Sequence, residues 1–307
     1  MKNTINFYYN IFLDELIKKD NCYYFYYGGD EYYFVPLNRP YDDVQSIYKL
    51  NLEMKKRRCL VHELVLNKDK SIITIVNGIS YVLIKLCKYK NDKVFLNDIN
   101  YIQNMTVNIE CDKSLVRNDW IKLWSEKIDY YEYQISQVGK KYPLLCDSLS
   151  YFIGMGENAI SYLVNNLDSK INVNLVVSHK RIYQESGSLN FYDPLNFVVD
   201  SRVRDVAEFI KETFYNKTLN LYDLKSYFNM ANLNKNEYIL LLGRLLFPTY
   251  YFDIYDDIIN KGKSEELVIN IIDRTDEYES LLNTIYKFIL YEKKARLEPI
   301  EWLQDKN

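Results

Sequence analysis

The spacing of apolar residues changes near residue 90, and that change restricts the chain to folds that keep strands and helices apart. Before it, short aromatic runs alternate with turn residues. Residues 22–27 and 32–37 flank Gly28-Gly29-Asp30-Glu31, and two such runs around a glycine pair predict a hairpin. Pro40-Tyr41-Asp42 opens a helix with apolar Val44, Ile47 and Tyr48. It runs to Lys55-Lys56-Arg57-Arg58, where a basic last turn complements the helix dipole. Residues 59–66 and 71–76 predict two more strands, joined by Asn67-Lys68-Asp69-Lys70, and 79–86 pairs back across Asn77-Gly78. The stretch 87–115 is polar and irregular, as expected of a linker.

Beyond it the helical period takes over. Trp120, Leu123, Trp124, Ile128, Tyr131, Ile135 and Val138 keep one face over five turns. Leu149, Phe152, Ile153, Ile160 and Leu163 mark a second helix, and Val203, Val206, Ala207, Ile210 and Phe214 a third. Asn234 and Glu237 form a capping-box start for a helix over 238–247 that stops at Pro248, and helical spacing returns between Ser264 and Leu303. The exception is Val173, Leu175 and Val177, which alternate as a strand and lead into His179. The reading is an α+β chain with a small β-rich N-terminal lobe over 1–90 and a larger helical C-terminal lobe over 91–307.

Bulk properties remove several function classes. The 307 residues carry a net charge of -3, so no basic field draws in nucleic acid or an anionic membrane surface. No apolar run reaches the roughly 18 residues of a membrane span, and the first residues lack the apolar core of a signal peptide. The five cysteines are scattered, odd in number and without C-x-x-C, the usage of reduced thiols in a cytosolic protein. The 31 tyrosines have two readings: AT-rich coding, which also favours Lys, Asn and Ile, or an adhesive or cross-linkable surface in an assembly.

The chemistry-bearing stretch runs from Ser178-His179-Lys180-Arg181 through Asp193-Pro194 to Arg204-Asp205-Val206-Ala207-Glu208. A kinase loop H-x-D-x-x-x-x-N uses its Asp to orient the accepting hydroxyl and its Asn to hold magnesium, while a downstream Asp binds metal on the phosphates. Here Arg181 stands at the first Asp and Ser186 at the Asn. A guanidinium cannot serve as a base near neutrality.

The β-then-α order and a strand ending at this loop resemble the aminoglycoside phosphotransferase and choline kinase branch of the protein-kinase-like, bilobal fold. The segments 151–160, 202–210 and 243–253 resemble, within that branch, the spore-coat kinase-like family of the CotS/YutH type. The resemblance implies that His179 is the structural loop histidine, that Lys180, Arg181 and Ser186 are degenerate catalytic-loop positions, that Asp193 is the metal-binding acid and that Asp205 is structural, tying down the loop. It also exposes further losses. The strand 32–37 has no phosphate-holding lysine, and Asp30 and Glu31 follow the glycine pair, where they repel phosphate.

Other signals have ordinary readings. Cys59 and His62 form a C-x-x-H without a partner pair, short of the about four ligands a zinc site needs. Gly154-Met155-Gly156-Glu157-Asn158-Ala159 fits a dinucleotide fingerprint but lies in a helical stretch, where small residues serve close helix packing. The 55–58 run reads as a solvated helix end. His179 with Asp193 lacks the G-x-S-x-G turn of a hydrolase. Arg181 either faces solvent or pairs with Asp193 in place of a metal. The functional expectation is a pseudokinase without cofactor, cytoplasmic or in the spore coat, acting as an interaction or scaffold protein for coat components. The alternatives are an atypical small-molecule phosphotransferase using ATP and magnesium through Asp193 or Asp205, and a nucleotide- or ligand-binding module without transfer.

Overall fold

The computed structural model describes residues 1–304. Its contacts divide the chain into two compact units, one of Met1–Arg117 with Leu175–Asp200, the other of Asn118–Asn174 with the chain from Ser201 onward.

The first unit is built on an antiparallel sheet. Strands β1 (Ile17–Lys19), β2 (Cys22–Tyr27), β3 (Asp30–Pro36), β4 (Glu63–Val65), β5 (Ile73–Val76) and β6 (Ile79–Lys85) follow the path β1-β2-β3-β6-β4, with β5 also paired to β6. The hairpin at Gly28-Gly29 sets Tyr24 opposite Tyr33 and Phe25 opposite Tyr32. Alternation then divides the aromatics between two faces. Phe25, Phe34, Tyr81 and Leu83 form one face of a core closed by Ile5, Ile11 and Leu13. Ile5 belongs to α1 (Lys2–Tyr9), a helix outside the sequence reading. On the other face Tyr24 and Tyr33 stack with centroids 4.2 Å apart.

Helix α2 (Tyr41–Lys56) forms as expected, with Asp42 and Asp43 in its first turn and Lys55 and Lys56 in its last. The strand expected over 59–66 shrinks to Glu63–Val65. The Asn51 side chain explains why, because it takes over backbone partners there: its amide donates to His62 O at 2.7 Å and its carbonyl accepts from Leu64 N at 3.1 Å. The linker expected over 87–115 contains α3 (Leu96–Met105). Leu96, Ile99 and Ile102 are buried at helical spacing, but Asn and Asp between them mask the period. Asp98 accepts from Phe95 N at 2.9 Å to start this helix. Thr106, just beyond it, accepts from Val177 N at 3.0 Å, which seats β7 (Leu175–His179) beside it. β7 pairs with β8 (Phe197–Ser201), a strand the sequence reading passed over.

The second unit is helical: α4 (Trp120–Val138), α5 (Pro143–Asn166), α6 (Val203–Tyr215), α7 (Leu221–Ala231), α8 (Lys235–Leu246), α9 (Thr249–Lys261) and α10 (Thr275–Tyr291). The capping box opening α8 is realised in both directions, Glu237 N to Asn234 at 3.0 Å and Asn234 N to Glu237 at 2.9 Å. At the other end of α8 lies a buried ionic cluster. Glu208 receives Arg244 Nε at 2.8 Å and Lys211 Nζ at 3.2 Å, and Arg244 lies 4.8 Å over the Trp120 ring. Lys211 also donates to the carbonyls of Arg244 and Phe247 at 2.8 and 3.2 Å, so a charge buried in α6 satisfies the C-terminal end of α8.

Glycines let these helices approach. A Cβ on Gly156 would meet Ile128 Cδ1 at 2.9 Å, and one on Gly243 would meet Leu163 Cδ2 and Cγ at 2.4 and 2.7 Å. The glycine run at 154–159 therefore serves α4–α5 packing at Gly156. Gly243→Ala is expected to destabilise the protein by about 1–3 kcal/mol through overpacking. Gly156→Ala, opposed mainly by the end of one flexible side chain, costs less. Chemical denaturation of both variants tests the order, and equal stability of Gly243→Ala and the parent would refute it.

Candidate functional site

The loop after β7 is held from beneath by one buried side chain. Arg39, between β3 and α2, is wholly enclosed and lies 3.4 Å from Asp43. Its Nη1 donates to Leu195 O at 3.1 Å and Phe197 O at 2.6 Å. Between those residues, Asn196 O accepts from Lys180 N at 2.8 Å. The positions of Lys180 and Arg181 thus depend on a guanidinium some 140 residues earlier in the chain.

His179 ends β7 fully buried. Its Nε2 donates to Phe191 O at 2.7 Å and its ring stacks on Phe191 at 4.5 Å. Arg181 turns its Nη1 to Lys180 O at 2.8 Å. The Arg181–Asp193 pair considered as a substitute for a metal is not formed. Asp193 caps the turn Pro194–Asn196, accepting from Leu195 N at 2.9 Å, and makes no ion pair among the described residues. Burial of its carboxyl, opposed by the Leu195 N–H and the Arg39 charge, pushes Asp193 up to about 6. Burial and the Arg39 charge push Lys180 down to about 8. Ser186, expected from sequence at the magnesium-asparagine position, donates its hydroxyl to Tyr183 O at 2.7 Å. Asp205 is buried in the first turn of α6 in the second unit, where a carboxylate suits the helix dipole.

Two cavities adjoin at Ser186 in the first unit. The smaller, of about 320 Å³, is lined by His179, Lys180, Arg181, Tyr183, Asn190 and Asn196 among others. The larger, about 520 Å³, lies between Tyr24, Glu31 and the 86–92 segment on one side and residues 185–189 on the other. Glu31 is paired with Lys90 at 2.5 Å and accepts from Tyr26, and Asp30 is paired with Lys85 at 2.5 Å. The acids expected to repel phosphate are thus held in ion pairs, one of them in the wall of the larger cleft.

His62 forms the floor of that cleft, and sequence reasoning treated it only as half of a C-x-x-H. Its Nδ1 accepts from Cys87 N at 3.1 Å and its Nε2 donates to Leu189 O at 3.1 Å. Both ring nitrogens are committed to backbone, and no cluster of three potential metal ligands occurs among the described residues. Arg39 and Asp200 were also passed over. Asp200 is fully buried near the end of β8, closing the run Phe197-Val198-Val199. A buried-strand run ending on an acid was the available signal.

The profile of the family described as "Spore coat putative kinase YutH" matches residues 2–285. The chain belongs to this YutH family. It is 30% identical over 207 residues to the endospore coat-associated protein YutH of Bacillus subtilis, a match that takes in 60% of this chain and 61% of that relative's length. Its fold is that of the aminoglycoside phosphotransferases. An aminoglycoside phosphotransferase from Alicyclobacillus acidocaldarius superposes with a TM-score of 0.65 at 10% identity, over 92% of this chain and 94% of the other. Spectinomycin phosphotransferase, solved with ADP and spectinomycin, gives 0.57 at 11% identity over 86% and 89%. A choline/ethanolamine kinase family protein from Mesorhizobium loti gives 0.51 at 10% identity over 87% of each chain. No helix among the described residues is long and apolar enough to cross a membrane.

In this YutH family member the charged lining of the larger cleft is Glu31, Lys90, Asp92 and Glu185, with Glu31 paired to Lys90 at 2.5 Å and Glu185 to Lys93 at 2.8 Å.

Two titrations in this unit oppose each other. Burial lowers His62 from 6.5 to about 4, and its Nδ1 has no room for a proton against the Cys87 N–H. The unfolded chain therefore binds the proton first, and up to about 3 kcal/mol of stability is lost as pH falls from 6.5 through 4. Asp193 is raised, so its contribution is fully present below its unfolded value and about 3 kcal/mol is lost as pH rises through 6. His62→Asn is expected to unmask a stability that falls with rising pH, and Asp193→Asn one that rises. Urea titrations between pH 4 and 7 read both slopes, and parallel profiles for the two variants would contradict the assignment.

Proposed function

We propose that this chain is a non-catalytic kinase-fold protein that works by binding, as an interaction or scaffold protein among spore coat components. The observation that carries the reading is the state of the loop after β7. Under the family resemblance a guanidinium stands for the hydroxyl-orienting acid, and its Nη1 donates to the carbonyl of the preceding residue, Lys180 O, while the serine read in place of the metal-binding asparagine donates its hydroxyl to Tyr183 O. Loss of one electrostatic contributor commonly costs about 10²–10³ in rate. Here the base, the metal amide and a phosphate lysine on β3 are absent together. The name of the Bacillus subtilis relative, an endospore coat-associated protein, supports a coat setting. Assembly from the cytoplasm onto the forming coat, without a nucleotide cofactor, belongs to the same reading.

A second reading, a ligand-binding module without transfer, draws on the cleft of about 520 Å³, a size ordinary for small-molecule sites. One titration separates the two. A ligand that binds only the folded state at 100 times its Kd stabilises by about 2.7 kcal/mol. The expected result with ATP and magnesium is no saturable rise in melting temperature and no release of ADP from the pure protein. Sustained turnover abolished by Asp193→Ala would overturn the non-catalytic reading. A saturable shift with a micromolar midpoint but no turnover would replace the scaffold by the binding module.

A further inference from the structure

We propose that strand β1 is the docking edge for a second copy of this chain, which joins it antiparallel and continues the sheet across a two-fold axis. β1 ends the path β1-β2-β3-β6-β4, and Ile17, Lys18 and Lys19 are all exposed, Ile17 to 56%. Such an edge presents unpaired backbone groups, a template for another strand. The turn Asp20-Asn21 fixes which groups these are. Lys19 pairs with Cys22 across it, Lys18 with Tyr23 and Ile17 with Tyr24. A two-residue loop closes on a pair that exchanges both hydrogen bonds, and such pairs alternate along an antiparallel ladder. Ile17 and Lys19 therefore direct their amides and carbonyls to β2, and those of Leu16 and Lys18 point away from the sheet.

The residues around that edge match their own copy. In a two-fold antiparallel pairing, each residue meets the one equally far on the other side of the axis. With the axis at Ile17, Leu16 meets Lys18 of the second copy, so the outward-pointing groups bond each other. Glu15 then meets Lys19 of the second copy, twice by symmetry, and no lysine faces another. A parallel pairing in register sets lysine on lysine. Glu15, Lys18 and Lys19 make no ion pair among the described residues, so their charges are open to such a partner. Asp14 and Asp20, at a bend and a turn, lie outside the pairing. The two Ile17 side chains meet in a pair without mutual hydrogen bonds, the kind that brings side chains closest. The edge is also held ready. Leu13 N donates to Asn6 Oδ1 at 3.3 Å and Lys2 Nζ to Asp14 O at 2.9 Å, which fastens the approach to β1 onto α1. Pairing therefore orders little new backbone.

Pairing at β1 is independent of the proposed function: nucleotide turnover would sink that reading and leave this one standing. A ladder this short is smaller than the roughly 1,200–2,000 Å² of a stable interface, so the dimer is weak and is read at high protein concentration. Sedimentation velocity of the full chain, up to submillimolar protein, should show a dimer that grows with concentration. Lys19→Glu should weaken it about tenfold, and Glu15→Lys likewise, because two attractive cross-strand pairs become repulsive. Mixed together, the two variants should associate as tightly as the parent, since every acid then meets a lysine. Both side chains are exposed, so neither change threatens folding. On dilution, the amide resonances of Leu16, Ile17 and Lys18 should move and those of Tyr27 and Gly28, at the next hairpin, should stay in place. A chain that remains monomeric, single variants that self-associate like the parent, or a mixture no tighter than either variant alone overturns the proposal.

Discussion

The geometry of the loop after β7 depends on the buried guanidinium of Arg39. Enclosing an arginine is costly unless its donors are used, and here one of them, Nη1, holds two carbonyls on either side of Asn196. Asn196 in turn receives the Lys180 amide. One side chain from the β3–α2 junction thus sets the backbone from which Lys180 and Arg181 project. Asp43, in the first turn of the helix that Arg39 precedes, offsets part of the charge at 3.4 Å. Removing the guanidinium would leave carbonyls without partners, each at a desolvation cost of about 1–3 kcal/mol.

His62 performs the matching task on the cleft side. It joins the strand region at β4 to the 86–92 segment through Cys87 N, and to the 185–189 segment through Leu189 O. Its own backbone is bonded as well, through His62 N to Tyr192 O at 3.0 Å and Asn51 to His62 O. A neutral imidazole is the only common side chain that can accept on one ring nitrogen and donate on the other in a rigid plane. The cleft is therefore walled by hydrogen-bonded backbone, and its charge comes from Glu31, Lys90, Asp92 and Glu185.

Aromatic residues supply much of the packing in both units. Tyr24 stacks on Tyr33 and Phe25 on Tyr32 across the hairpin, while Tyr131, Tyr227, Tyr251 and Tyr255 are almost completely enclosed. Others stand out in solvent, Tyr222 at 79% and Tyr133 at 68% exposed. Tyrosine serves here as a core residue and as a surface residue in the same chain, which composition could not separate, because its ring suits the interior and its hydroxyl suits water.

The sequence by itself determined the order of strands and helices, wherever apolar spacing was clean. The hairpin at Gly28-Gly29, α2 with its charged ends, the long face of α4 and the capping box of α8 all follow from local periodicity and local hydrogen bonding, which need no distant partner. The family was legible too, because motif order survives in sequence. Tertiary structure alone decided what depends on residues far apart. α3 hid behind polar residues because its burial is set by β7, and β4 was shortened by the side chain of Asn51. Arg39 looked like an ordinary loop arginine until the fold enclosed it, and His62 like half of a metal motif until both its nitrogens met backbone. Long-range placement, not local preference, fixes desolvation and charge, and the chemistry of this site follows from those two quantities.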